Sequence, residues 1–62
     1  MLFRSPAAYN AVGQVALANH DNRFALDYFQ KAAESSPVYF EEAQRNATLA
    51  REGLSAVSAA RP

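Results

Sequence analysis

Small and apolar residues recur along this chain at intervals of three and four. The first run is Tyr9, Val12, Gly13, Ala16 and Leu17. The second is Ala25, Tyr28, Phe29, Ala32 and Ala33, and the third Phe40, Ala43, Ala47, Ala50, Leu54 and Val57. Such spacing puts each set on one side of an α-helix, and no alternating run suited to a strand interrupts them. The punctuation agrees. Ser5-Pro6 joins a capping hydroxyl to a proline that fits a first helical turn. Asn19-His20-Asp21-Asn22 is a turn cluster in which Asp21 or Asn22 can cap the next helix. Ser36-Pro37 repeats the signal of Ser5-Pro6. The pattern predicts an all-α domain over residues 1–62, with helices over about 6–19, 22–35 and 37–57 and a fraying tail at 58–62.

The short turn makes the first two helices antiparallel neighbours. Their small residues then have a packing reason. Gly13 is expected to face Ala25 and Ala32 so that the backbones approach closely, while Tyr9 and Phe29 fill the wider spaces. Pro37 ends the second helix so that the chain can fold back. Length adds a constraint. For a 6.8 kDa chain, apolar burial contributes about 85 kcal/mol and chain ordering costs about 90 kcal/mol, so the two nearly cancel. A surface supplied by a second copy or a partner would add usefully to so thin a margin.

In order and spacing, Tyr9, Val12, Gly13 and Ala16, followed by Ala25, Phe29, Ala32 and Pro37, resemble the tetratricopeptide repeat. That family's unit is a helix–turn–helix of about 34 residues. The resemblance covers residues 6–39, with 37–57 similar to the first helix of a following repeat, extended as a capping helix. The chain departs from the family at Tyr9, where tryptophan is usual, and at His20, where glycine is favoured. The resemblance implies a non-catalytic scaffold that binds a peptide or helix of another protein. Carried onto this chain, the family's concave binding face is Asn10, Gln14, Leu17 and Ala18. These residues carry no positive charge, which disfavours a ligand held by its terminal carboxylate. A single repeat also leaves open edges. Self-association through Ala47, Ala50, Leu54 and Val57 on the third helix is therefore expected, and a purely structural homo-oligomerisation unit is the alternative.

Charge and chemistry narrow the classes further. Six basic and six acidic residues balance to zero and intermix, which disfavours nucleic acid and anionic membranes. A helix-turn-helix DNA binder would suit three short helices, yet Asp27 and Glu34 beside Arg23 and Lys31 leave no phosphate-binding excess. Without cysteine, neither disulfides nor a thiolate metal site is available. No metal, cofactor or catalytic residue is expected. His20, the lone histidine, reads as a solvated turn residue, Ser35-Ser36 as helix-end chemistry, and Glu41-Glu42 as an acidic first turn. Asn46-Ala47-Thr48 fits the N-glycosylation pattern, but in mid-helix it reads as coincidence. Asn10, Gly13 and Gln14 break any apolar leader near the start, and no run is long enough to span a membrane. A soluble, cytoplasmic protein is the expectation.

Overall fold

The computed structural model describes the backbone of residues 5–60 and the side chains of residues 5–56. It contains three α-helices: α1 (Pro6–Ala18), α2 (Asn22–Ser35) and α3 (Glu41–Ala60). There is no strand among the described residues. Helices α1 and α2 form a hairpin, and α2 packs along α3 as well, whereas α1 and α3 approach only sparsely. The second helix is thus the middle of the fold. Gly53 of α3 lies against Asn22 at the start of α2, and Gln44 shares a cleft with Ala33 and Glu34 near its end. Helix α3 therefore runs antiparallel to α2.

Each boundary has a local cause. Ser5 is extended (φ −84°, ψ 144°), and its Oγ accepts a hydrogen bond from the Ala8 N–H at 3.0 Å. Pro6 then occupies the first turn, where its missing N–H leaves no bond unmade. At the other end of α1 the His20 N–H donates to the Leu17 carbonyl at 3.0 Å. The Asp21 N–H donates to the Ala16 carbonyl at 2.9 Å. These two bonds, around a residue of positive φ, are the Schellman helix stop. His20 is that residue, at φ 63°. Asp21 serves both helices, since its Oδ1 accepts from the Phe24 N–H at 3.5 Å. Three residues thus close one helix and open the next.

A left-handed conformation costs a non-glycine residue about 1–2 kcal/mol, a cost glycine escapes while losing more chain entropy on folding. We expect His20→Gly to stabilise the protein by about 0.5–1 kcal/mol. Thermal unfolding followed by circular dichroism should show a midpoint raised by a few degrees; an unchanged or lowered midpoint would contradict the stop described here.

The sequence pattern misplaces one helix start. Ser36-Pro37 begins nothing: Ser36 is extended (φ −81°, ψ 131°), because the ring of Pro37 excludes helical backbone from the residue before it. The Ser36 hydroxyl then donates to the Val38 carbonyl at 2.7 Å and accepts from the Val38 N–H at 3.4 Å. That local turn holds the connection out of helix until Glu41. Glu41 and Glu42 fill the first turn of α3, where carboxylates favour the positive end of the helix dipole. At the far end α3 continues to Ala60, past the expected fraying point, and residues 61 and 62 lie outside the described chain.

The core is built almost wholly from alanine and one aromatic ring. Ala16, Ala25, Phe29, Ala47 and Ala50 form one buried cluster, with Leu17 and Leu26 packed against it. Ala32 and Ala43 are also buried, and Phe29 is the one large side chain there with no exposed surface. A β-carbon added at Gly13 would stand 2.6 Å from Phe29 Cε1 and 2.7 Å from its Cδ1. The nearest atoms to such a β-carbon therefore belong to the ring of Phe29, which lies between the expected Ala25 and Ala32 on α2. Those alanines lie four residues before and three after the ring on the same helix. Gly13 and Ala47, like Ala16 and Ala50, are 34 positions apart in the chain. Equivalent small residues of α1 and α3 thus meet the same helix.

Candidate protein-interaction surface

The residues expected to form a partner groove are largely engaged inside the chain. Asn10 is buried, and its Oδ1 accepts from Asn46 Nδ2 of α3 at 3.1 Å. Its side-chain oxygen is thus used within the chain. A buried polar side chain requires such a partner, because an unpaired one costs the desolvation of the group. Gln14 remains exposed, with its Nε2 donating to Glu42 Oε2 at 3.2 Å. Leu17 is half-buried against the core, and Ala18 is exposed. Asn10 and Gln14 sit on the edge of α1 that faces α3. The pairs Asn10–Asn46 and Gln14–Glu42 bridge the two helices that otherwise scarcely touch.

Two residues of the expected self-association seam on α3 turn inward. Ala47 and Ala50 belong to the chain's own core. They face α2 because the volume of Phe29 and Leu26 leaves room only for small neighbours. Both are enclosed within this chain. Leu54 is half-buried, and the side chain of Val57 lies outside the described residues.

Of the residues expected to pack the repeat, Ala16, Ala25 and Phe29 share one buried cluster. Ala16, Ala25, Phe29 and Ala32 are buried, and Gly13 meets the ring of Phe29. Tyr9 is half-buried, with its ring 6.0 Å from that of Tyr28, which in turn stacks at 4.7 Å on Phe24. Lys31 places its Nζ 5.9 Å from the Tyr28 ring centre, within range of a cation–π attraction. Val12 is half-buried, and Pro37 lies exposed in the connection.

What remains open is a surface the residue pattern did not single out. Beside α1, on the flank away from Asn10 and Gln14, lies a groove of about 340 Å³ lined by Val12, Val15, Ala16, Asn19, Asp21 and Phe24. Val15 is 63% exposed and Phe24 44%. A signal for it was present in the sequence. Position 15 breaks the polar side expected of a surface helix, and α1 has no acidic residue in its first turn and no basic residue in its last.

The remaining candidate groups serve local structure. The Ser35 hydroxyl donates to the Ala32 carbonyl of its own helix at 3.2 Å, and that of Thr48 to the Gln44 carbonyl at 3.1 Å. The amide of Asn46, part of the glycosylation-like triplet, is committed to Asn10. Among the described residues no three metal-ligating side chains gather, and no helix is long and apolar enough to cross a membrane. Comparison with protein-family models, with curated proteins and with solved structures finds no match to this chain.

Proposed function

We propose that this chain is a non-catalytic protein-interaction module of the tetratricopeptide type, one repeat followed by a capping helix, which binds a peptide or helix of another protein. The observation that carries this reading is the double use of α2. Phe29 shares one cluster with Ala16 of α1 and with Ala47 and Ala50 of α3. A unit whose middle helix receives equivalent positions 34 residues apart is what a stacked repeat of that length requires. The apolar groove beside Val15 and Phe24 supports it further, as contiguous exposed apolar surface marks interaction sites. Self-association belongs to the same reading, because a repeat with uncovered flanks gains burial from a neighbour.

Site-specific photocrosslinking tests the proposal. A photoreactive benzophenone amino acid at Ala18, on the expected binding side, should yield a discrete crosslinked protein in cells. The same group at Glu34, exposed on α2, should not. Absence of any adduct at Ala18, or an indiscriminate smear from both positions, would count against a dedicated partner site.

A further inference from the structure

The apolar side of α3 does not by itself say where along α2 the helix should sit. Ala43, Ala47 and Ala50 are all buried, at steps of four and three residues. A slide of α3 by one turn, about 5.4 Å, toward its own C-terminus puts Ala43 in the place of Ala47 and Ala47 close to that of Ala50. The ring of Phe29 would still meet two methyl groups. A slide the other way puts Leu54 where Ala50 was, against the ring, and overpacks the core. Chain is available for the first slide. Each residue passing from helix to extended backbone gains about 1.8 Å of reach, so unwinding about three residues after the non-helical segment 36–40 suffices.

One buried contact distinguishes the two positions. Among the described residues Asn10 is the one buried polar side chain, and its Oδ1 accepts from Asn46 Nδ2 at 3.1 Å. After the slide, Glu42 or Ala43, four or three residues earlier in the chain, would stand where Asn46 stands now. A methyl group offers Asn10 no donor, and the Glu42 carboxylate would bring a charge into a part-buried site. The other marks of register are weaker. The Gln14–Glu42 pair is exposed, where water replaces it readily. At Gly53 the nearest atoms belong to the terminal amide of Asn22, which can turn aside for a larger residue such as Leu49.

We propose that the Asn10–Asn46 pair is a register lock, which holds α3 at one of two positions that the alanine stripe accepts almost equally. Its two members are positioning residues. They fix where α3 lies and add little to how firmly it is held, since α1 and α3 otherwise approach only sparsely and Ala47 and Ala50 pack on Phe29 of α2. A buried polar contact suits this task, because a misplaced polar group is penalised while small apolar groups are interchangeable.

Double replacement in the whole chain tests the lock. Asn10→Leu with Asn46→Leu keeps the shape and removes every polar atom; Asn10→Ala with Asn46→Ala serves should the leucines overfill the site. Nuclear Overhauser cross-peaks from the Phe29 ring read the register, and a urea titration reads stability. In the wild type the ring should meet the Ala47 and Ala50 methyls in one set of signals. Loss of a hydrogen bond made in one register only should raise the slipped population by about tenfold. A second set of Phe29 signals should then appear, with a cross-peak to the Ala43 methyl in place of Ala50. The urea midpoint should hold or rise with leucine, because apolar groups of similar shape can replace a buried polar pair without loss. Asn46→Gln, which keeps a donor, should show one set as in the wild type. A single set in whichever double variant folds, with contacts to Ala47 and Ala50 alone, would overturn the lock. Unfolding of both double variants would overturn it too, since the pair would then support the fold and not its register.

Discussion

Gly13→Leu should leave this protein without its native fold at room temperature. The nearest atoms to a β-carbon at residue 13 belong to Phe29, at 2.6, 2.7 and 3.1 Å. Phe29 is wholly buried, hemmed in by α3 on its other side, so its ring has nowhere to retreat. Even Gly13→Ala should destabilise. Overpacking costs about 1–3 kcal/mol, against which alanine's better helix propensity returns about 1 kcal/mol. A net loss of up to about 2 kcal/mol should appear as a lower urea midpoint. Leucine adds three further carbons to the same collision, and a domain this small has only a few kcal/mol to lose. Far-ultraviolet circular dichroism with a urea titration reads both variants. A Gly13→Leu protein with wild-type helicity and midpoint would mean that α1 does not approach α2 at this point.

The opposite change, Phe29→Ala, is expected to have an equally large effect by emptying the same space. Removing a fully buried aromatic side chain costs about 3–5 kcal/mol, through lost transfer energy and the cavity left behind. Here the surrounding cluster is alanine at Ala16, Ala25, Ala47 and Ala50, and none of these side chains can swing inward to fill the gap. The variant should be largely unfolded in the absence of stabilising solutes. Phe24→Ala is the matched control. Phe24 is 44% exposed, so its removal should lower stability by about 1 kcal/mol or less. If both variants lost the same stability, Phe29 would not be the centre of the core. Combining Gly13→Ala with Phe29→Leu should recover part of the loss, since residues in contact couple by about 0.5–3 kcal/mol.

The helices themselves were largely legible in the residue pattern. Tyr9, Gly13 and Ala16, then Ala25, Phe29 and Ala32, declare two helices and their inward sides. The turn cluster between them sets α1 ending at Ala18 and α2 starting at Asn22. The start of α3 was not legible, because a serine–proline pair can either open a helix or extend the residue before the proline, and the residues after the pair decide between the two. Here Val38 completes a local turn with the Ser36 hydroxyl, which no propensity announces. His20 illustrates the same limit, as it takes the left-handed stop without being glycine.

The interaction surface was less legible than the fold. An apolar stripe such as Ala43, Ala47 and Ala50 shows that a helix is covered on that side, but it does not say whether the cover is the same chain or another. In this fold it is α2. Asn10 looked like a solvent-facing hydrogen-bonding group because its partner, Asn46, lies far along the sequence. Conversely, Val15 and Phe24 each fall outside the main stripe of their helix, so the residue pattern gives them no common surface. Only the three-dimensional arrangement joins them into one groove.

The most direct test of this account is the contact between α1 and the ring at the centre of the core. In a two-dimensional nuclear Overhauser spectrum of the labelled protein, the Phe29 ring protons should give cross-peaks to a Gly13 Hα, with that Hα shifted upfield by the ring current. Cross-peaks from the ring to the Ala47 or Ala50 methyl should accompany them. A Gly13 Hα at its random-coil position, without any cross-peak to Phe29, would contradict the packing on which the fold and the proposed surface both depend.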